Sequence, residues 1–260
     1  MQIKPGSLKK SQENIYQKFI NASISPELAK IAASNTGQNL YLIALSGKMG
    51  SGKDTIGYKI MNQLANTNWV QLSFASAIKK DIDDIIKICQ KANSKEEAIE
   101  EVIKEGFPDN CAKEAISILY QESKESTINA YHRSPTIRKA LQYWGKAVRD
   151  EKGALYWSNI LLSQIATALA NRTSILVSDA RFDHEIDLCK EVGFITIRLD
   201  IDDQTQEKRL LDRDGVKTPK TLLEDISEIA LDEYKHFDIR INTANTQVVE
   251  KVVDIIKGRG

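Results

Sequence analysis

The chain of 260 residues has little of what marks a specialised class of protein. Cysteine is scarce: Cys89, Cys111 and Cys189 are an odd number with no CxxC pair, so neither a disulfide framework nor a structural zinc site is expected. The three histidines stand in no metal-ligand spacing. Such usage suits a reducing compartment, and the cytoplasm is the expected location. No stretch reaches the ~20 apolar residues of a membrane span, and the lysine-bearing N-terminus lacks the apolar run of a secretory signal. A soluble protein with no membrane partner is therefore expected. An excess charge of one sign is also missing, since Lys plus Arg and Asp plus Glu are 36 each. No global field draws the chain toward nucleic acid, and any basic site has to be local. Internal repeats and low-complexity tracts are absent, and the length is within reach of one large domain.

What is present alternates. Residues 1–38 are polar, with Ile15, Phe19, Ile20 and Ile24 supporting a short helix, and read as an N-terminal extension. From residue 39 to 260 the pattern is that of one α/β domain. Short apolar runs predict strands at LYLIALS (from Leu40), WVQLSF (Trp69–Phe74), SILVSD, FITIRLD and DIRINT (Asp238–Thr243). Helical spacing predicts helices after the first strand, over about 75–89, 135–149 and 154–171, from near Phe182, and over about 246–257. Between about 93 and 130 charged, Ala- and Ile-containing segments broken at Gly106–Asp109 read as a helical insertion. Strands alternating with helices indicate a mostly parallel sheet with helices on both faces.

After the first strand comes GKMGSGKDT, Gly47 to Thr55. Gly47, Lys48, Gly50, Ser51, Gly52 and Lys53 satisfy GxxxxGK, in which glycines let successive N–H groups turn toward one anion and the following helix adds its positive end. Lys53 supplies a charge for the β- and γ-phosphates of ATP. Asp54 stands where the strict motif has a hydroxyl, and Thr55 follows it, so Thr55 is the expected Mg2+ ligand. Asp54 reads either as a first-turn carboxylate favoured by the helix dipole or as a group that orients metal-bound water or the acceptor.

On the helix after Pro135, Ile137, Leu141, Trp144 and Val148 make an apolar stripe, and Arg138, Gln142, Gly145 and Arg149 repeat its spacing one residue around. That second strip is either a solvated face or an anion site, for which arginine gives a planar grip. Asp179 ends an apolar strand, with Arg181 and Glu185 just beyond. It reads as a carboxylate holding Mg2+ through water, as a helix cap, or as both, with Arg181 clamping a phosphoryl oxygen and Glu185 orienting it or a substrate hydroxyl. Trp157 reads as core packing or as a base-stacking ring. Arg209 and Arg213 lie four apart before a Gly- and Pro-containing connection, in a salt-bridged helix or in a lid over about 209–228.

In order and spacing, GKMGSGKDT, LSFASAIKK (Leu72–Lys80), RKALQYWGKAVR (Arg138–Arg149) with Trp157, VSDARFDHE (Val177–Glu185), Ser227-Glu228 and FDIRINTANT together resemble the deoxynucleoside monophosphate kinases of bacteriophages, a P-loop kinase family. The resemblance implies a three-layer P-loop kinase sandwich and transfer of the ATP γ-phosphoryl to a deoxynucleotide. It also implies a site containing Asp54, Thr55, Arg138, Lys139, Gln142, Trp157, Asp179, Arg181 and Glu185. Departures occur: Lys146 and Ala147 follow Gly145, DARFDHE replaces DVRFPNE, and Ile226 stands where His-Pro is common. The expected partners are small nucleotides, and a homodimer is one assembly open to the chain. Two other readings stand beside this one. The first is a kinase for another phosphorylated small molecule, such as phosphomevalonate; the second is a P-loop nucleotide-binding module without an acceptor, although no NKxD guanine signature occurs.

Overall fold

The computed structural model describes residues 8–65, 68–125, 129–130, 134–244 and 247–258. Along the chain run α1 (Lys10–Asn21), α2 (Pro26–Asn35), β1 (Leu42–Gly47), α3 (Lys53–Gln63), β2 (Trp69–Leu72), α4 (Ala75–Lys91), α5 (Lys95–Lys104), α6 (Asp109–Glu125) and α7 (Pro135–Lys152). They are followed by α8 (Tyr156–Ala170), β3 (Ser174–Ala180), α9 (Asp183–Val192), β4 (Ile195–Asp200), α10 (Asp203–Asp214), α11 (Lys220–Leu223), α12 (Ile226–Ile229), β5 (Ile239–Asn242) and α13 (Val248–Lys257). Thr246, the expected start of the closing helix, and residues 126–128 of the expected insertion lie outside the described residues. The chain divides into two compact units, one of residues up to Ser73 with Leu161 onward, the other of Phe74–Ile160. No described helix is long and apolar enough to cross a membrane.

In the first unit the five strands form one sheet in the order β2-β3-β1-β4-β5, and every pairing is parallel. Both faces of β1 are buried, which is why its sequence is a continuous apolar run without alternation. Ile43, Leu45, Leu176, Ile197 and Leu199 point to one face and pack with Ile60 of α3, Leu64 at its end, and Val249, Val252 and Val253 of α13. Over the other face, α8 lies beside β2 and α9 packs on β4. The result is an α/β three-layer arrangement, and the connection from β1 to β2 runs opposite in direction to that from β3 to β4. The neighbouring carboxyl ends of β1 and β3 therefore flank the switch point at which sheets of this kind bind ligands.

Residues 8–38 hold two helices where apolar spacing supports one. Phe19 of α1 and Ala29, Ala32 and Ala33 of α2 are fully buried, and Asn35 Nδ2 donates to the Leu169 carbonyl at 2.9 Å. The start of α2 is set locally: Pro26 takes the first turn and Ser25 Oγ accepts from Leu28 N–H.

The second unit is helical. Its core joins Ile82, Ile85 and Ile86 of α4, Ile116 and Leu119 of α6, Ile137, Trp144 and Val148 of α7, and Trp157. Trp144 is fully enclosed, and its Nε1 donates to Asp81 Oδ2 at 2.9 Å. Burial raises the Asp81 carboxyl above its ordinary value, and the Trp144 bond opposes that rise. Ser134 caps α7 by accepting from Ile137 N–H at 3.1 Å, with Pro135 in the first turn.

Candidate active site

The turn from β1 into α3 has a geometry that can cradle an anion. Gly50 and Gly52 have φ of +79° and +84°, a left-handed backbone that side chains resist. Gly47 meets a different demand: a Cβ there would stand 2.6 Å from Ser51 Oγ and 2.7 Å from the Leu199 carbonyl oxygen. The first amide of α3 to find a carbonyl behind it is Ile56, which donates to Gly52 O at 2.9 Å. The earlier first-turn N–H groups have no intrahelical acceptor and face the open end of the helix. Lys53 Nζ donates to the carbonyls of Gly47 at 2.6 Å and Lys48 at 3.1 Å, so the ammonium folds over its own loop. Loss of water around it, with the positive charge of Arg181 adding to the effect, pulls the Lys53 ammonium down to about 8 despite Glu228 and Asp54 nearby. Ser51 Oγ is buried with no hydrogen-bond partner among the described residues. Asp54 and Thr55 are exposed in the first turn of α3.

On the neighbouring strand, Asp179 Oδ2 accepts from Ser73 Oγ at 2.5 Å. Two residues on, Arg181 pairs through NH1 with Glu228 Oε1 and donates from the same nitrogen to the Ser227 carbonyl at 3.1 Å. Burial works against the Arg181 charge, but Glu228, Asp179 and Glu185 outweigh it and the guanidinium is raised. Glu185 Oε2 accepts the backbone N–H of Arg181 at 2.7 Å and of Phe182 at 3.2 Å, which fixes the turn that presents Arg181. Removal from water, with Asp179 adding to it, pushes the Glu185 carboxyl up to about 8.

Helix α10 braces the back of the loop. Gln206 Nε2 donates to the Met49 carbonyl at 2.8 Å, and Arg209 NH1 donates to the Gly50 carbonyl at 3.3 Å and to Thr243 Oγ1 at 3.2 Å. These contacts hold Arg209 on loop carbonyls, the side away from amides that would meet phosphate. Arg213 is paired with Asp214 at 2.6 Å and also feels the charge of Asp54. Lys48 Nζ stands 2.9 Å from Asp232, whose other oxygen accepts from Arg198 NH2 at 2.7 Å, while Arg198 NH1 donates to Ser46 Oγ at 3.0 Å.

In the helical unit the expected acceptor residues share α7. Lys139 and Gln142 are exposed, and Arg138 and Arg149 are half-buried. Gly145 is buried, and a Cβ there would come within 3.0 Å of Ile78 Cδ1. Trp157 is buried in the core of this unit, where its Nε1 donates to the Gly145 carbonyl at 2.9 Å.

The first unit thus brings together Gly47, Lys48, Gly50, Ser51, Gly52, Lys53, Asp179, Arg181 and Glu185, with Arg209 behind them. Sequence reasoning assigns no site role to Ser73, Arg198, Gln206, Glu228 or Asp232. Three of these gave a signal: Ser73 and Glu228 stand inside stretches that carry the resemblance, and Arg198 is an arginine inside the otherwise apolar run FITIRLD. Oxygen donors of the kind Mg2+ prefers are present in the Thr55 hydroxyl and the Asp179 carboxylate, so this donor set fits that ion. The buried, unpartnered Ser51 hydroxyl and the glycine turn fit a polar anion in the loop. Over residues 81–220, which are 140 of the 260, the chain matches the family model described as Deoxynucleotide monophosphate kinase. Gly47 to Thr55 and Glu228 lie outside that span. No curated protein matches the chain.

Proposed function

The chain belongs to the deoxynucleotide monophosphate kinase family, and from that membership we propose that it transfers the γ-phosphoryl group of ATP to the 5′-phosphate of a deoxynucleoside monophosphate. The products are the deoxynucleoside diphosphate and ADP. The observation that carries this reading is the pairing of two cations at the loop: Lys53 and Arg181 act on one another electrostatically, at the neighbouring carboxyl ends of two parallel strands. A loop that only held nucleotide would have no need of the second. Phosphoryl transfer depends chiefly on positioning and on neutralising charge spread over the transferred group, and two convergent cations do both.

In this reading the loop amides and Lys53 hold the ATP phosphates, and Arg181 takes an oxygen of the moving phosphoryl group. Thr55 and Asp179 would hold Mg2+, which neutralises phosphate charge when bound. Asp54, exposed beside Thr55, is assigned to orienting the acceptor or metal-bound water. The acceptor phosphate falls to Arg138, with Lys139, Gln142 and Arg149 of the same helix contributing to its surroundings; the buried Gly145 and Trp157 support that helix from within its own unit, Glu185 fixes the turn that presents Arg181, and Arg213 acts from the lid. Small nucleotides are then the partners.

A panel of ATP with every deoxy- and ribonucleoside monophosphate, and with phosphomevalonate, tests the proposal by chromatography of the products. A deoxynucleoside diphosphate formed one for one with ADP is the expected result. Turnover of phosphomevalonate alone, or ATP hydrolysis indifferent to every acceptor, overturns it.

A further inference from the structure

Glu228 sits in the short helix α12, yet its side chain is only 3% exposed. A carboxylate taken out of water is costly unless its oxygens find partners, so its contacts reveal what holds it there. They are divided between two parts of the site. Oε2 accepts the Met49 N–H of the phosphate loop at 2.6 Å, and Oε1 pairs with Arg181 NH1. The adjacent Ser227 carbonyl accepts from the same Arg181 nitrogen. Both contacts therefore fall on one corner of the guanidinium, and Nε and NH2 are not used by Glu228 or Ser227. Those two donors are the edge that a planar grip on phosphoryl oxygens requires.

A second observation gives Glu228 a further effect. Arg181 disfavours the charge of Lys53, whereas Glu228 favours the charges of both. Two cations gathered for one phosphate chain repel until that chain arrives, and a carboxylate fixed between the loop and the arginine offsets the repulsion.

We propose that Glu228 is a positioning residue, tying Arg181 to the phosphate loop at Met49 so that its unused edge is aimed at the transferring phosphoryl group. This rests on the kinase reading above. The role differs from that of a structural ion pair because it acts on the reaction only through Arg181. It also makes Arg181 register with the loop and not only with the strand it follows.

The test is a kinetic double-mutant cycle on the full chain: wild type, Glu228→Gln, Arg181→Met and the double variant, with thermal melting to verify folding. Gln keeps an acceptor for the Met49 N–H but removes the negative charge that faces Arg181. The double variant neutralises both members of the buried pair, a change that folds commonly tolerate. Where Arg181→Met does not fold, Arg181→Lys takes its place. Glu228→Gln is expected to lower kcat by about tenfold or more while KM for ATP stays within about threefold. In the Arg181 variant the same substitution is expected to change kcat by less than about twofold. Equal losses in both backgrounds, or a loss confined to KM for ATP, overturn the proposal. An active wild type with additive losses overturns this inference alone, whereas a wild type inert toward every deoxynucleotide overturns the kinase reading and this inference together.

Discussion

At Glu185 a single carboxyl illustrates how the site stores its chemistry. It accepts two backbone N–H groups yet is held up to about 8, because its separation from water outweighs those bonds. The sign follows from linkage. A group with a raised folded-state pKa contributes stability that is complete below its ordinary value of 4.5 and is lost as pH rises through about 8. Glu185→Gln keeps an acceptor and cannot ionise, so its melting temperature should equal that of wild type near pH 5 and exceed it by at least about 2 °C near pH 8.5. Parallel melting curves across that range would show that Glu185 does not titrate there. Lys53 has the opposite sense: its charge is disfavoured, so the penalty on folding is full below about 8 and is relieved as pH rises toward 10.5. Because both proteins carry Lys53, the comparison isolates Glu185.

Elements set where such groups stand. Strand β1 delivers Gly47 against the Leu199 carbonyl of β4, and that closeness leaves no room for a Cβ. Gly47→Ala should cost about 1–3 kcal/mol of stability by overpacking against backbone. Calorimetric titration should also find ADP affinity lowered by about tenfold or more, since the loop must shift to relieve the clash. Unchanged melting and unchanged ADP affinity would remove the close approach from the account. On α7 the local sequence foretells which side is core: Ile137, Trp144 and Val148 are buried as their spacing requires. The adjacent strip, from Arg138 to Arg149, is readable as a strip but carries no local sign of what it meets. Helix α2 was not foreseen at all, because its buried face is made of alanines, whose weak apolar contrast leaves little periodicity to read.

At the scale of the whole molecule, the proposed reaction assigns the acceptor phosphate to Arg138 of α7, and an acceptor-side substitution is the direct probe of that assignment. Arg138→Ala should raise KM for the deoxynucleotide by about tenfold or more, as loss of a charge-assisted hydrogen bond implies, with KM for ATP unchanged within about twofold. Steady-state kinetics with each substrate varied in turn measures both, and an unaltered acceptor KM would take α7 out of the site. Much of this molecule was written locally. The glycine turn from Gly47 to Thr55, the five strands and most of the helices follow from glycine spacing, apolar runs and caps that act over a few residues, and such signals survive in a linear reading. The order β2-β3-β1-β4-β5 does not, because any parallel strand with two buried faces is an equally good neighbour for another until helices and register choose between them. The same holds for the pairing of Met49 with Glu228, 179 residues apart, and for the ties of Ser73 to Asp179 and Arg198 to Asp232. The sequence by itself determined a glycine-rich turn between strand and helix, with lysine and hydroxyl in place. Only tertiary structure decided that a buried carboxylate would stand between that loop and Arg181, since desolvation and charge pairing depend on distances that no spacing along the chain contains.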